Sequence, residues 1–181
     1  MSRPAPRQSV DLRAGSNPAG LVIPVTSGVG EGPTEIAAFD AALLDAGVGN
    51  MNLIRLSSVI PTGATIEVRV DDLPDPGATT ESWGHRLYVV YADARVSRPG
   101  EVAAACVGWV QNEATGDGLF VEIDGHDEER VRGEVEASLL SMAASRSLHT
   151  GPVTLLSRSI RCDDQPVCSI VIATFVAEGW T

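Results

Sequence analysis

The segment Arg86–Val96 is the feature that most restricts how this chain can fold. Large apolar side chains occupy both sets of alternating positions, namely Leu87, Val89 and Tyr91 on one face and Tyr88 and Val90 on the other. A strand with one apolar face can leave its other face in water, whereas a strand with two apolar faces needs cover on both. The segment therefore predicts a strand inside a sheet that is covered on both sides.

Periodic patterns elsewhere predict an α+β chain with two long helices and about eight strands. One helix covers residues 35–46, and the other begins near His126 and buries one apolar stripe. The other predicted elements are strands over 21–26, 53–60, 65–70, 103–111, 118–123, 153–161 and 167–176, a tight glycine-rich loop over 28–34 and an acidic loop over 71–81. The glycines of the tight loop indicate that its backbone closely approaches a site.

The predicted helix over 35–46 carries a carboxylate on its apolar side. Its apolar stripe comprises Ile36, Phe39, Leu43 and Leu44, and Asp40 lies four residues from both Ile36 and Leu44. A carboxylate on such a stripe is costly unless it is paired. Two interpretations remain open from this pattern alone: a structural pairing at the rim of the stripe, or a contact with a cationic ligand.

Composition narrows the class of protein. The chain has 181 residues and a formal net charge of −11, which favours a single domain over 19–181 after a disordered tail over 1–18 and argues against a nucleic-acid partner. No apolar run has the length of a membrane-spanning helix. Three cysteines at spacings unlike a metal site predict free thiols in a reducing cytoplasm and no bound metal.

The absence of lysine excludes several kinds of chemistry. Thirteen arginines account for the whole count of basic side chains. A lysine Schiff base is therefore impossible, and so are pyridoxal phosphate anchored on such a lysine and a phosphate-binding loop lysine. Any reaction here between a carbonyl and an amine needs a carbonyl from another source.

Two adjacent serines interrupt an apolar run in the middle of the predicted strand over 53–60. The segment over 49–61 reads Gly-Asn-Met-Asn-Leu-Ile-Arg-Leu-Ser-Ser-Val-Ile-Pro, with the serines at Ser57 and Ser58. A hydroxyl inside a buried strand needs a hydrogen-bond partner. The segment resembles the self-cleavage segment of the pyruvoyl-dependent arginine decarboxylases, in which the bond between the two serines breaks and the second becomes a pyruvoyl group.

The chemistry of this cleavage can be stated from the residues. The Ser58 hydroxyl attacks the Ser57 carbonyl and converts the amide to an ester. Elimination then breaks the bond between Cβ and oxygen at residue 58, and the resulting dehydroalanine hydrolyses to a ketone and ammonia. The attack needs an aligned peptide and a donor to the oxyanion, and the resemblance implies that Asn52 assists it. An uncleaved serine pair with satisfied hydroxyls is the alternative interpretation.

The resemblance also implies a substrate pocket. The stretch Ala-Phe-Asp-Ala-Ala-Leu-Leu over 38–44 is similar to the family segment whose aspartate contacts the substrate guanidinium, which implies this role for Asp40. Gly49, Met51 and Val59 resemble positions that line the pocket. A carboxylate at Asp40 would attract a cationic substrate and repel an acidic one.

A catalytic acid is implied in the same way. The stretch Gly-Leu-Phe-Val-Glu-Ile-Asp-Gly over 118–125 is similar to the family strand that ends in a catalytic glutamate, so Glu122 is the implied proton donor. Apolar neighbours should desolvate this carboxyl, raise its pKa and keep a proton available near neutral pH. Glu113, in the predicted hairpin turn before this strand, is the rival candidate.

The resemblance implies an αββα sandwich of two packed sheets flanked by helices, assembled as a homotrimer or a pair of trimers with the site between subunits. The implied reaction converts L-arginine to agmatine and CO2. A ketone made from Ser58 condenses with the substrate amine and takes up the electrons as CO2 leaves. Two alternatives stay open, namely a pyruvoyl-dependent decarboxylase of another amino acid and a non-catalytic oligomeric domain that has lost processing.

Overall fold

The computed structural model describes residues 20–69 and 82–180. The predicted tail over 1–18 and the acidic loop over 71–81 lie outside these residues. The described elements are, in chain order, β1 (Val22–Glu31), α1 (Glu35–Asp45), β2 (Asn52–Arg55), β3 (Val59–Ile60), β4 (Thr65–Val68), β5 (Arg86–Val96), β6 (Val102–Gln111), β7 (Gly118–Gly125), α2 (Glu128–Ser145), β8 (Thr154–Arg161) and β9 (Val167–Glu178). The predicted content of two helices and about eight strands is therefore close to the two helices and nine strands that residues 20–69 and 82–180 form.

The strands form two sheets that pack face to face. One sheet has the order β2-β5-β9-β1-β4, and the other has the order β3-β7-β6-β8. Helix α1 packs on the outer face of the five-stranded sheet, and α2 packs on the outer face of the four-stranded sheet. This arrangement confirms the predicted α+β fold with αββα layers. Strand β5 is buried on both faces, as its sequence predicts.

The core between the sheets is centred on Phe120, which is fully buried. Its ring centroid lies 6.2 Å from that of Trp109 and 6.0 Å from that of Phe175. These three rings belong to β7, β6 and β9, so the cluster joins the two sheets. Burial of one such aromatic side chain stabilises a fold by about 1.5–3 kcal/mol.

The second helix and the hairpin before it also follow the sequence prediction. Strands β6 and β7 pair in antiparallel register. Val131, Val135 and Leu139 form the buried stripe of α2. Neither helix among residues 20–69 and 82–180 combines the length and apolarity that a membrane span requires.

Most of the glycine-rich segment forms a strand in close contact with a helix, so the loop predicted over 28–34 is wrong over 28–31 and correct only over 32–34. Gly28 and Gly30 lie inside β1. A Cβ atom added to Gly30 would lie closer than 3.0 Å to the Ala38 carbonyl and the Ala42 amide of α1. The glycines are therefore required because the helix backbone rests on the strand, and the close approach is to α1 rather than to a ligand.

The same contact explains why the apolar stripe predicted for α1 is only partly correct. Leu43 is buried and Phe39 packs against the same core, as predicted. The buried side chains of α1 include Ala38 and Ala42, which are small enough to approach the glycines of β1. Ile36 and Leu44 are instead 64% and 53% exposed. Asp40, between them on the same side of the helix, is exposed as well. The carboxylate thus lies on an outward face that is flanked by two large apolar side chains.

Replacing Gly30 with alanine should destabilise the protein. The added Cβ would force the backbones of β1 and α1 apart, and overpacking of this kind typically costs about 1–3 kcal/mol. Thermal unfolding should show a lower Tm, by roughly 2–4 °C for each kcal/mol. The matched control is Gly133→Ala in α2, where an added Cβ has nothing within 4 Å and should stabilise the helix by about 0.5–1 kcal/mol. Equal Tm values for the two variants would contradict the proposed packing.

Candidate active site

The serine pair lies where the chain crosses from one sheet to the other, and not inside one strand. The single strand predicted over 53–60 is therefore wrong. Strand β2 ends at Arg55 on an edge of the five-stranded sheet, and β3 begins at Val59 on an edge of the four-stranded sheet. The peptide between Ser57 and Ser58 belongs to the short connection between these two edges.

Backbone hydrogen bonds hold this connection from both sides. The Leu56 amide donates to the Val89 carbonyl of the five-stranded sheet at 2.8 Å. The Phe120 amide donates to the Ser58 carbonyl at 2.9 Å, which fixes the other end on the four-stranded sheet. The intervening peptide is therefore held at both ends while Ser57 itself is exposed.

Ser58 has an unusual backbone conformation. Its φ angle is +65°, in the left-handed region that residues with a Cβ atom seldom adopt. Such a conformation costs about 1 kcal/mol or more and persists only where the surroundings impose it. The strain falls on the second residue of the serine pair, directly beside the peptide bond that the sequence predicts to break.

The Ser58 side chain contacts the predicted acid. Its Oγ atom donates a hydrogen bond to Oε2 of Glu122 at 2.9 Å. Glu122 lies two residues after Phe120 on β7, so it points to the same side as that ring, between the sheets. The other carboxylate oxygen of Glu122, Oε1, is buried and has no partner in the part of the chain that the structure describes.

The surroundings of Glu122 favour its protonated form. Burial raises the pKa of this carboxyl above its ordinary value, and the Ser58 hydrogen bond and the positive charge of Arg55 partly oppose the rise. The net direction is the one that its apolar neighbours predict. A buried carboxyl with one unpaired oxygen is suited to holding and releasing a proton.

Sequence reasoning assigned no role to Arg55, which lies beside this pair. Its guanidinium donates to the Tyr91 carbonyl at 2.7 Å and lies 4.7 Å from the centre of the Tyr91 ring. These contacts fix a positive charge near Glu122. The available signal was that Arg55 is the only charged residue in the run over 53–60.

Asn52 is remote from the serine pair of its own chain. Its backbone amide donates to the His85 carbonyl at 2.7 Å, and its side-chain Nδ2 donates to the Gly84 carbonyl at 2.5 Å. The extended strand from Asn52 to Arg55 spans about 10 Å, and Ser57 lies further along. The Asn52 amide therefore cannot reach the Ser57 carbonyl within one chain.

The predicted pocket residues fall into two places. Asp40 is exposed on α1, and Gly49 lies against the side chain of Leu44 on the same helix. Met51 is buried in the core between α1 and its sheet. Val59, next to the serine pair, is 57% exposed. The structure therefore brings together two separate groups, namely Ser57, Ser58, Val59 and Glu122 at the crossing, and Asp40, Gly49 and Met51 beside α1.

The rival acid, Glu113, lies in a different environment from Glu122. It is exposed in the turn between β6 and β7, next to Gly151 and beside a shallow groove of about 150 Å³ that Trp109 also lines. The Glu113 carboxyl therefore differs from that of Glu122 in being exposed at the surface of its own chain.

Comparison with known proteins identifies the family. Residues 22–178 match the family described as pyruvoyl-dependent arginine decarboxylase (PvlArgDC), so the chain belongs to this family. The family that the sequence resembles is thereby confirmed. It follows that the cofactor of the family is a pyruvoyl group rather than pyridoxal phosphate.

Two relatives carry the name of this family, and one solved structure shows a weaker likeness. The pyruvoyl-dependent arginine decarboxylase of Thermococcus kodakarensis is 33% identical over 147 residues, which are 78% of this chain and 86% of that protein. The enzyme of that name from Halobacterium salinarum is 46% identical over 100 residues, 55% of this chain. The match spans only 58% of the Halobacterium protein. A solved pyruvoyl-dependent histidine decarboxylase aligns with a TM-score of 0.43 and 13% identity over 56% of this chain and 57% of that one.

Proposed function

We propose that this chain cuts itself between Ser57 and Ser58, makes a pyruvoyl group at position 58, and decarboxylates L-arginine to agmatine and CO2. The observation that carries the proposal is the 2.9 Å hydrogen bond from Ser58 Oγ to Glu122 Oε2. It joins the implied nucleophile to the implied acid at the strained crossing between the sheets. Membership of the family and the absence of lysine from the sequence support the same conclusion.

The residues around position 58 fit a pyruvoyl group. The Phe120 amide holds the carbonyl of residue 58, which in a processed chain is the amide carbonyl next to the ketone. The buried, unpaired Oε1 of Glu122 offers a polar neighbour. When present, the pyruvoyl group supplies the ketone that condenses with the substrate amine and accepts the electron pair as CO2 leaves.

We infer that Glu122 acts as the general base in the self-cleavage step, and its hydrogen bond from Ser58 Oγ supports this role. Its Oε2 atom takes the proton from the Ser58 hydroxyl as Oγ forms a bond to the Ser57 carbonyl carbon. The C–N bond of the peptide then breaks, and the amine of Ser58 takes up a proton. From the sequence alone, Glu122 is expected to matter only after cleavage. The contact with Ser58 changes that expectation to a role in both reactions.

In turnover, the same carboxyl is placed to act as the acid. Cleavage transfers the Ser58 Oγ atom to the new carboxylate of Ser57, so Glu122 loses the hydroxyl that lowers its pKa. Burial then raises the pKa of Glu122 with less opposition. The carboxyl therefore stays protonated until its proton is transferred to the substrate carbon. This change suits Glu122 for delivering a proton after CO2 has left.

A second copy of the chain would complete the site. Asn52 cannot reach the Ser57 of its own chain, and Asp40 lies on an outer helix. Asp40 is flanked by Ile36 and Leu44, whose exposed apolar surface is suited to burial between subunits. We propose a homo-oligomer, a trimer or hexamer as the resemblance implies, in which one subunit supplies Asp40 and Asn52 to the Ser58 of its neighbour.

We propose that the protein works in the cytoplasm, where its thiols would stay reduced. The cysteines Cys106, Cys162 and Cys168 are free and buried.

Intact mass under denaturing conditions tests the proposal. We expect two fragments, 1–57 and 58–181, with the larger one carrying a ketone in place of its N-terminal amine. The fragment 1–57 contains no tryptophan or tyrosine, so its elution should be followed by peptide-bond absorbance. A single uncut mass would favour the non-catalytic alternative. A free serine amine on the larger fragment would mean simple hydrolysis, and decarboxylation of another amino acid in preference to arginine would favour the other alternative.

Replacing Asp40 with asparagine should weaken the use of arginine and spare self-cleavage. A charge-assisted hydrogen bond contributes roughly 1.5–3 kcal/mol, so kcat/KM for arginine should fall about tenfold to a hundredfold. Steady-state release of CO2 and the fragment pattern on a denaturing gel measure the two effects. The matched control is Glu35→Gln, which removes an exposed carboxylate from the first turn of the same helix and should leave kcat/KM unchanged. An Asp40→Asn enzyme with parental kcat/KM would make Asp40 structural.

A further inference from the structure

The chain segment after β9 contacts the turn that holds Asn52. The indole Nε1 of Trp180 donates a hydrogen bond to the Gly84 carbonyl at 2.8 Å. The same carbonyl accepts the 2.5 Å hydrogen bond from Asn52 Nδ2. A carbonyl oxygen has two lone pairs, so these two donors together satisfy the acceptor completely.

Further contacts fix the position of this carbonyl. The Gly84 amide donates to the Asn50 carbonyl at 2.8 Å, and Gly84 has a φ of +77°. On the other side, the Arg86 guanidinium lies 4.9 Å from the centre of the Trp180 ring and donates to the Gly179 carbonyl at 2.8 Å. The Trp180 ring is thus held against the turn although 68% of the residue is exposed.

This arrangement sets the orientation of the Asn52 side chain. Because a carbonyl oxygen can only accept, the NH2 group of Asn52 and not its Oδ1 must face Gly84. One N–H of Asn52 is then engaged, and its second N–H and its Oδ1 are left for other partners. The Trp180 hydrogen bond holds the Gly84 carbonyl in the orientation in which it also accepts from Asn52.

We propose that Trp180 is a positioning residue for self-cleavage, acting through the Gly84 carbonyl on the Asn52 amide. The inference rests on the proposed function, in which Asn52 assists cleavage in a neighbouring copy. With the amide held in one orientation, its second N–H is available to the oxyanion that forms at the Ser57 carbonyl. Without the indole N–H, the amide spends part of its time in orientations that offer no donor, and cleavage slows.

The test is the rate of cleavage of Trp180→Phe, which retains an aromatic ring beside Arg86 and removes the N–H donor. Full-length chains are made by cell-free translation with labelled methionine, and the loss of the uncut chain is followed on denaturing gels. Met51 and Met142 label the two fragments separately. We expect cleavage about two- to tenfold slower than in the parent, the range that a single neutral hydrogen bond allows. The matched control is Trp83→Phe, an equally exposed tryptophan on the same turn, which should cleave at the parental rate.

A double-variant cycle separates positioning from general loss of structure. If Trp180 acts through Asn52, the Trp180→Phe change should slow the parent but have no further effect on an Asn52→Ala chain. An equal slowing in both backgrounds would overturn the inference, as would a Trp180→Phe chain that cleaves at the parental rate. If the variant has a lower Tm, the four rates are compared at a temperature where all four chains are folded. A parent that never cleaves would refute the proposed function itself, which is a different result from either of these.

Discussion

A Ser58→Ala chain should remain a single uncut polypeptide of 181 residues and should form no agmatine. The substitution removes the hydroxyl that attacks the Ser57 carbonyl, and it also removes the only source of the ketone in our proposal. Cleavage should fall below detection, and decarboxylation should be lost with it. Intact mass and CO2 release measure the two losses on the same sample.

The Ser58→Cys chain is the matched control, since a thiol can make the same acyl shift from almost the same position. We expect slow cleavage in this variant and none in Ser58→Ala. Cleavage of Ser58→Ala at the same peptide bond would point to a contaminating protease. The left-handed φ of Ser58 is imposed by its surroundings, so both variants should adopt the parental fold, which circular dichroism can verify.

Replacing Glu122 with glutamine should impair both reactions. The amide keeps the shape of the side chain but neither accepts the proton of Ser58 nor delivers one to the substrate carbon. A positioned acid or base contributes about 10²–10⁴ in rate, so turnover by chains that have been cut should fall by this factor. Cleavage should slow as well, because Ser58 Oγ loses its base. Normal cleavage in Glu122→Gln would show that Glu122 acts only in turnover.

The two roles of Glu122 predict opposite pH dependences. Self-cleavage needs the ionised carboxylate, so its rate should rise with pH through the pKa of Glu122. Turnover needs the protonated acid, so kcat should fall as pH rises through the pKa that burial holds above the ordinary value. Both the rise of the cleavage rate with pH and the fall of kcat with pH should be absent in Glu122→Gln. Initial rates of cleavage and turnover measured across pH on the parent and the variant test this directly.

A Glu113→Gln chain distinguishes the rival acid. Glu113 is exposed in the turn between β6 and β7, so its replacement should leave cleavage and turnover close to the parental values. If turnover is lost in Glu113→Gln and retained in Glu122→Gln, the acid comes from the hairpin turn, which would then reach the site of a neighbouring copy.

The fold was predictable wherever the sequence repeats a simple period. The two apolar faces of β5 and the buried stripe of α2 both follow from the spacing of large apolar residues. The burial of α1 followed only in part, because its contact with β1 is made by Ala38 and Ala42 against glycines. Hydrophobic patterns are recognised mainly from large apolar side chains. They therefore miss a helix face made of alanines that allows the helix backbone to lie close to a strand.

The sequence motifs named two residues that the structure places in contact, but they did not reveal the geometry around them. The motif marked Ser58 and Glu122, and the structure joins them through one hydrogen bond. Nothing in the run over 53–60 indicates that the chain leaves one sheet at Arg55 and enters the other at Val59, since both ends are equally apolar. The separation of Asn52 from the serine pair was also not evident from the sequence, because it depends on β2 being extended over about 10 Å from Asn52 to Arg55.

The position of β1 inside its sheet determines how the two fragments would be held together after self-cleavage. Strand β1 lies between β9 and β4 rather than at an edge, and it belongs to the shorter fragment together with α1 and β2. Once the bond is cut, unfolding would release two separate polypeptides, and refolding would become a second-order reaction. The Tm of the cut protein should then rise with protein concentration, whereas unfolding of an uncut monomer would not depend on it. A fold that the intact chain reaches in a unimolecular step would thus be difficult to regain after dilution.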